Sequence, residues 1–322
     1  MTTSRLTHAL ATGSLVLPDG PIAVFGPPTG YDLSALPKPT VTIVSSFAPD
    51  VEHWRASGFE VARDAPQSAS ALVVLPRAKD AARALIAAAV AVAPIVLVDG
   101  QKHDGIDSVL KAVKARTVPG TVISKAHGKL FSISGGEFSD WAAQPRSVDG
   151  FITRPGVFSA DGPDKGSLAL VETLPPLKGR VADLGAGWGF LARHILQADA
   201  VTRLDLVEAD AVALDCARAN VTDPRAAFHW ADATTFTSEV PYDVVVSNPP
   251  FHVGRAGDPG LGRDFIAAAQ RLLSPHGSFW MVANRHLPYE DALSAAFQHV
   301  EEAGGTSGFK VIHATRPHRA RR

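Results

Sequence analysis

The chain has 322 residues, about twice the commonest domain length of roughly 100–150, so it holds two domains or one large one and is long enough to bury a core. Hydrophobic residues make up 46% and charged residues 20%, with 27 glycines and 24 prolines spread along the sequence, which excludes collagen-like and disordered chains. The formal net charge is −1, so a nucleic-acid partner has to be held by local patches rather than by a broadly basic body.

Taken from the N-terminus, Met1 to His8 is too polar for an export signal, which makes the cytoplasm the expected location. Runs rich in β-forming residues predict strands at 22–25, 42–45, 59–62, 71–75 and 95–98, followed by a strand-like stretch at 122–134 that turns at Gly128. The longest uncharged apolar run, 84–98, is shorter than the ~20 residues of a membrane span and is interrupted by Pro94, so no membrane association is expected. Residues 136–155 carry Gly, Ser and Pro and read as a linker in which Phe138 and Trp141 pack rather than float.

Beyond the linker, strands are predicted at 180–184, 203–208, 227–231, 243–247 and 278–283. Helices at 190–197, 211–220 and 264–273 show apolar residues at three- and four-residue spacing. Ser274-Pro-His-Gly277 stops the last helix before a strand. Runs around Val300 and at 309–314, flanking Gly304, Gly305 and Gly308, close the chain as a hairpin. Strands alternating with helices imply a parallel sheet covered on both faces. The first half repeats the order of the second, with 71–76, 84–89 and 95–98 paralleling 244–249, 265–269 and 279–282, which reads as an internal duplication. The expected division is 1–135, a linker at 136–155, and 156–322.

Val181 to Phe190 is a strand that runs into a glycine-rich turn and then a helix. Gly185, Gly187 and Gly189 permit a tight turn and the close approach of a ligand. The spacing is not that of a dinucleotide fingerprint, and a plain strand–helix turn is the alternative, disfavoured by three glycines after Asp183. Glu208, on the next strand, suits a ribose in either class of enzyme. Ser247-Asn-Pro-Pro-Phe251 ends the fourth strand, at the edge where ligands of open parallel sheets bind. An exocyclic NH2 is a poor nucleophile because its lone pair is delocalised. Acceptors on the Asn248 side chain and the Pro249 backbone would hold its two hydrogens, Phe251 would stack on the planar group, and Pro249 and Pro250 would fix the backbone.

Asp183-Leu-Gly-Ala-Gly-Trp-Gly189, Glu208 and Asn248-Pro-Pro-Phe251 together resemble the class I S-adenosylmethionine-dependent amino-methyltransferases across residues 155–316. The segments 156–166, 248–252 and 283–289 are similar to those of the RsmC/RlmG group, which methylates guanine N2 in ribosomal RNA. The resemblance implies two tandem class I methyltransferase-like (Rossmann-like) α/β domains. Each would be a mostly parallel sheet with a C-terminal antiparallel hairpin, and only the second would bind cofactor. It implies that Asp183, Gly185 and Gly187 line the methionine end of S-adenosylmethionine and that Glu208 takes the ribose hydroxyls. Phe158 and Asp164 would belong to a cofactor lid. Asp232 would meet the adenine amine, although a helix N-cap explains that residue as well. The resemblance makes ribosomal RNA or the small subunit the partner, with 16S RNA the expected target. Adenine N6 and a glutamine side chain also present a planar NH2, and a non-catalytic RNA-binding assembly factor is the alternative from another class.

In the first half, Gly26-Pro-Pro-Thr-Gly30 replaces the glycine turn, Ser45 and Ser46 replace the acidic residue, and Leu75-Pro-Arg-Ala78 replaces the tetrapeptide, so this half is expected to be catalytically silent. Arg77, Lys79 and Arg83 now stand at that edge. From Ala303 onward no acidic residue occurs, while Arg316 and Arg319 are among the cations, so Arg77, Lys79, Arg316 and Arg319 are candidate RNA phosphate contacts. The histidines and the single cysteine show no metal-ligand spacing, so no metal is expected. Cys216 falls among Ala and Leu on a predicted helix and reads as core. A monomer is expected.

Overall fold

The computed structural model describes residues 4–250, 252–253, 256–257 and 259–318. The chain divides into two compact units, Met1–Pro145 and Arg146–Arg322.

The first unit opens with α1 (Arg5–Ala11), capped by Ser4, whose hydroxyl oxygen accepts from the Thr7 N–H. It continues through β1 (Ile22–Phe25), β2 (Val41–Val44), α2 (Ala48–Ala56), β3 (Glu60–Ala62), β4 (Ser70–Val74), α3 (Lys79–Val92), β5 (Val96–Gln101), α4 (Ile106–Lys114), β6 (Ile123–Lys125) and β7 (Gly128–Ile133). Every residue of β1 and β4 is buried, the pattern of central parallel strands covered on both faces. The sheet order is β3-β2-β1-β4-β5-β7-β6, parallel except for β7, which runs antiparallel to both neighbours. The turn between β6 and β7 lies at Ala126 and His127, with φ of +49° and +55°, and not at Gly128. Gly128 is instead a point of close approach, since a Cβ there would collide with the Arg5 guanidinium and the Gly100 carbonyl.

Residues 136–155 are shared between the units. Phe138 and Trp141, 5.0 Å apart edge to face, belong to the first unit's core. β8 (Arg146–Val148) and β9 (Phe151–Thr153) form an antiparallel pair in the second.

The second unit proceeds through α5 (Lys165–Thr173), β10 (Gly179–Leu184), α6 (Phe190–Ile195), β11 (Val201–Glu208), α7 (Ala211–Asn220), β12 (Ala226–Trp230) and β13 (Tyr242–Ser247). It then forms β14 (His252–Val253), β15 (Ala256–Gly257), α8 (Pro259–Leu272), β16 (Leu273–Asn284), α9 (Glu290–Ala296), β17 (Phe297–Gly305) and β18 (Phe309–Pro317). The sheet order is β12-β11-β10-β13-β16-β18-β17, the same as in the first unit strand for strand, with β18 antiparallel to β16 and β17. Each unit is therefore a Rossmann-like α/β layer closed by an antiparallel hairpin. One face of the second sheet packs Val245, Phe279 and Met281 against Phe265 and Ile266 of α8, and the other packs Val181, Leu204 and Val246 against Leu170 and Leu191. The chain leaves β10 toward β11 and returns to its other side as β13, so the topological switch point, and the crevice at the carboxyl ends of these strands, lies between β10 and β13. Cys216 is buried on α7.

Candidate active site

Beyond β10 the chain turns through Gly185, Gly187 and Gly189, with φ of +74°, +54° and +88°. The N–H groups of Gly185 and Ala186 both donate to the Val207 carbonyl, at 2.9 and 3.1 Å, which fastens the turn to β11. Gly187 has a further requirement. A Cβ there would meet no protein atom within 4 Å, yet Gly187 lines a cavity, so a side chain would occupy ligand space.

Glu208 closes β11 and orders this turn. Its Oε2 accepts from the Gly187 N–H at 2.7 Å and its Oε1 from the Asp210 N–H at 2.8 Å, while Asp210 caps α7 through the Val212 N–H. Burial pushes the Glu208 carboxyl above its ordinary value, and these N–H donors act against the push. Asp183 is fully buried, and neither carboxylate oxygen has a hydrogen-bond partner. Burial first, and then the Glu208 charge, push it up to about 8. A buried acid without partners fits a site whose missing component is a cationic or donor-bearing ligand.

Across the switch point, the Ser247 hydroxyl donates to the Leu184 carbonyl at 2.7 Å and ties β13 to β10. Asn248 follows. Its Nδ2 donates to Asp164 Oδ2 at 2.9 Å and to Ser167 Oγ at 2.8 Å, and its Oδ1 is buried without a partner. Asp164 caps α5, accepting from the Gly166 and Ser167 N–H groups. Pro249 is buried and Pro250 exposed.

The loop before α5 is pinned to the glycine turn. Trp188 Nε1 donates to the Phe158 carbonyl at 2.9 Å, and Trp188 packs against Phe151 and Phe190. Asn220 Nδ2 donates to the carbonyls of Trp188 and Ile152, both at 2.8 Å. The Phe158 ring is left 60% exposed, enough to serve as a contact surface.

These elements enclose one cavity, whose walls include Phe158, Asp164, Ser167, Gly185, Gly187 and Asn248. Asp183 and Glu208 are outside its lining, Glu208 bearing on it through the Gly187 N–H. Asp232 is outside as well. It follows β12, where the Ala231 N–H donates to the Glu208 carbonyl, and its Oδ1 accepts from the Thr234 N–H and hydroxyl at 2.8 and 2.7 Å. The residues after Asp232 form a turn and no helix starts there, so it is not a helix N-cap. Phe251 and Arg319 lie outside the described residues.

Ser167 is the residue that sequence reasoning missed. The available signal was its place three residues after the capping Asp164, where the first helical turn brings both side chains to one end.

Among the candidate RNA contacts, Arg77 and Lys79 are exposed just beyond β4, with Lys79 opening α3, and the Arg83 guanidinium lies 5.3 Å from the Trp141 ring centroid. Arg316 is exposed near the end of β18 with φ of +57°, its Nη1 at 3.5 Å from His299 Nε2. Among the described residues no group of three or more His, Cys, Asp or Glu side chains is placed to hold a metal ion, and no helix is long and apolar enough to cross a membrane.

Comparison with known proteins gives a consistent result. Residues 149–313 match the family profile of the methyltransferase small domain. The ribosomal RNA small subunit methyltransferase C of Shewanella oneidensis is 31% identical over 232 residues, covering 68% of each chain. The protein of the same name from Shewanella piezotolerans is 35% identical over 181 residues, covering 54% of this chain and 53% of its own. Among solved structures, the T. thermophilus 16S rRNA N2 G1207 methyltransferase (RsmC), in complex with AdoMet and guanosine, superposes with a TM-score of 0.81 at 24% identity, covering 97% of this chain and 92% of that one.

Proposed function

Because the chain belongs to the methyltransferase small domain family, and within it to the ribosomal RNA small subunit methyltransferase C type, we propose that its second unit transfers a methyl group from S-adenosylmethionine to the exocyclic N2 amine of a guanine in 16S ribosomal RNA. The observation that carries this reading is the buried, unpartnered Asn248 Oδ1 beside the glycine turn. An acceptor left open at that edge suits an NH2 group that needs its hydrogens held.

S-adenosylmethionine, when bound, supplies a methyl group on a positively charged sulfur. The residues present fit it. Gly185 and Gly187 leave the approach free of side chains, and Asp183 offers a buried carboxyl to its positive charge. Glu208 is held by two N–H donors and keeps further acceptor capacity for ribose hydroxyls. Phe158 and Asp164 close the cavity from the other side, and Asp232, next in chain to a residue bonded to Glu208, is assigned to the adenine amine.

Asn248 Oδ1 and the Pro249 carbonyl accept the two hydrogens of the guanine amine and aim its nitrogen. Once methylated, the amine would be acidic and would release its proton to solvent, so no strong base is required of the residues at this edge. Pro249 and Pro250 keep the acceptors rigid, and Phe251 stacks on the base. Arg77, Lys79, Arg316 and Arg319 hold RNA phosphates, and the first unit performs no transfer. A ribosomal RNA or small-subunit partner, a cytoplasmic location and a monomeric chain go with this reading.

The test is to incubate protein and labelled cofactor with ribosomal RNA, 30S particles and protein fractions, then digest and identify the product. N2-methylguanosine is expected, and label found only in N6-methyladenosine or glutamine overturns the substrate. Asn248→Ala should bind cofactor as the wild type does while turnover falls about 10²–10³-fold, the loss for one preorganised catalytic hydrogen-bonding group.

A further inference from the structure

We infer that Ser167 and Asp164 together form a positioning clamp that fixes the orientation of the Asn248 amide, so that its carbonyl rather than its NH2 faces the acceptor amine. This rests on the reading of Asn248 given above. A side-chain amide can turn about its Cβ–Cγ bond, and the two orientations place opposite polarity at nearly the same point in space. Only one of them serves the reaction. An amide NH2 turned outward would present donors to an amine that itself needs acceptors.

Nothing in Asn248 alone selects between the two. Asp164 does, because its Oδ2 already accepts from two backbone N–H groups and so meets the amide as an acceptor. Its Oδ2 lies 2.9 Å from Asn248 Nδ2, so the NH2 end must face it. Ser167 Oγ takes the second hydrogen of the same NH2 at 2.8 Å, and with both hydrogens held the amide has no rotational freedom left.

The clamp is itself rigid. Asp164 Oδ2 also accepts from the N–H groups of Gly166 and Ser167, at 2.9 and 3.1 Å, which fixes the carboxylate on the first turn of α5. Ser167 sits in that turn and is only 8% exposed, and Gly166 between them has no room for a Cβ beside Asp164 and Phe309. The outcome of this arrangement is the buried Asn248 Oδ1 with no protein partner, an acceptor oriented before any substrate arrives. Ser167 acts only through Asn248, so it is a positioning residue and not a catalytic one.

The test compares Ser167→Ala and Ser167→Thr with the wild type in cofactor affinity by calorimetry and in kcat and KM for RNA. Ser167→Ala should lower kcat roughly tenfold, the size of one lost hydrogen bond, and leave cofactor affinity within about twofold. Ser167→Thr, which keeps the hydroxyl, should recover most of the loss. In an Asn248→Ala background Ser167→Ala should have no further effect on kcat. Wild-type kcat in Ser167→Ala, or the same tenfold loss with Asn248 absent, overturns the inference. Should Ser167→Ala fail to fold, Ser167→Cys, which keeps the size of the side chain but replaces the hydroxyl with a weak acceptor, should show the same loss of kcat, and wild-type kcat there overturns the inference equally. Failure of the underlying reading is seen separately, as absence of N2-methylguanosine with the wild type.

Discussion

The two sheets share one strand order, and pairing them strand for strand shows which parts of a methyltransferase the fold needs and which only the chemistry needs. The backbone at the switch point is the same in both. The Gly26 N–H donates to the Val44 carbonyl at 2.9 Å, as the Gly185 N–H donates to the Val207 carbonyl at 2.9 Å. The side chains on that backbone are exchanged throughout. By strand register, Val24 stands where Asp183 does, Pro27 and Pro28 where Ala186 and Gly187 do, Ser45 where Glu208 does, and Val74, not the Leu75 expected from the sequence, where Asn248 does.

Two of these exchanges remove a polar side chain whose buried oxygen has no partner. In the second unit Asp183 and Asn248 Oδ1 have no partners, at a cost of about 1–3 kcal/mol each for an unsatisfied buried group. In the first unit the corresponding positions are apolar. Its buried acid, Asp99, is instead paired, to Arg5 Nε at 2.6 Å and to the Tyr31 hydroxyl at 2.6 Å, and register places the apolar Val282 at the matching point of the second sheet. Stability alone favours the first arrangement, which supports the proposal that the unpaired groups of the second serve the reaction.

The sharpest way to break the comparison is to graft one half's turn onto the other. Gly187→Pro introduces the residue found at Pro28. It removes the N–H bonded to Glu208 and forces φ near −65° where the turn has +54°. Cofactor binding by calorimetry should fall at least about 100-fold, with the first unit's stability unchanged. In the wild type the same titration should give one cofactor per chain. A stoichiometry near two would erase the distinction between the halves.

How much of this was legible in the sequence differs by element. Strands of the parallel core are short runs dominated by buried apolar residues, and β1, β4, β5, β10 and β13 fall within a residue or two of their expected places at most ends. Helices α1, α2, α4, α5 and α9 have seven to nine residues, too few turns for a repeating pattern to stand out, and no expectation covered them. At 136–155, the two aromatic residues, Phe138 and Trp141, signal packing and are buried, whereas the β8–β9 pair and the division of the segment at 145/146 depend on partners that local sequence does not carry. The cavity shows the same limit. Asn248 and the glycine turn are contiguous motifs and could be read directly, whereas Ser167 is 81 residues from the amide it holds and becomes visible only when α5 lies beside β13.

Glu208 allows a graded test. Ser45 is its counterpart, so Glu208→Ser gives the second unit the first unit's residue. It removes both carboxylate contacts, to the Gly187 and Asp210 N–H groups, and the acceptors assigned to the ribose. Charge-assisted hydrogen bonds contribute about 1.5–3 kcal/mol, so cofactor affinity should drop roughly 10–150-fold. Unchanged affinity would remove Glu208 from the site.

Asp183 separates the halves by pH. In the unfolded chain its carboxyl ionises near 3.8, whereas burial and Glu208 raise it to about 8 in the folded, ligand-free protein. Between those values the folded state holds the additional proton. Its stability is therefore full below about pH 4, falls as pH rises, and has lost the whole contribution above about pH 8. Asp183→Asn should flatten that part of the melting-temperature profile. A positively charged ligand favours the ionised form, so wild-type cofactor affinity should increase from pH 6 to pH 8, with proton release, and Asp183→Asn should lose this dependence. A wild-type affinity that does not change with pH would show that Asp183 does not face the ligand's charge.

The smallest expected effect concerns the cations of the first unit. The segment that begins at Val74 lacks the side-chain acceptor that Asn248 supplies, but Arg77 and Lys79 put two exposed cations at the carboxyl end of β4, where a ligand of an open α/β sheet would approach. If they hold phosphates, each neutralises one charge and displaces counterions, contributing about 0.7 to the slope of log affinity against log salt for single-stranded RNA. Arg77→Ala with Lys79→Ala should then lower that slope by about 1.4 and weaken RNA binding at low salt. Cofactor affinity should be unaffected, and so should turnover at saturating RNA, because phosphate contacts position the RNA without touching the reacting amine. An unchanged salt slope would leave the first unit as a folding partner only. A fall in kcat at saturating RNA would mean that its cations act on the transfer itself, and the division between a silent half and a working half would have to be drawn elsewhere.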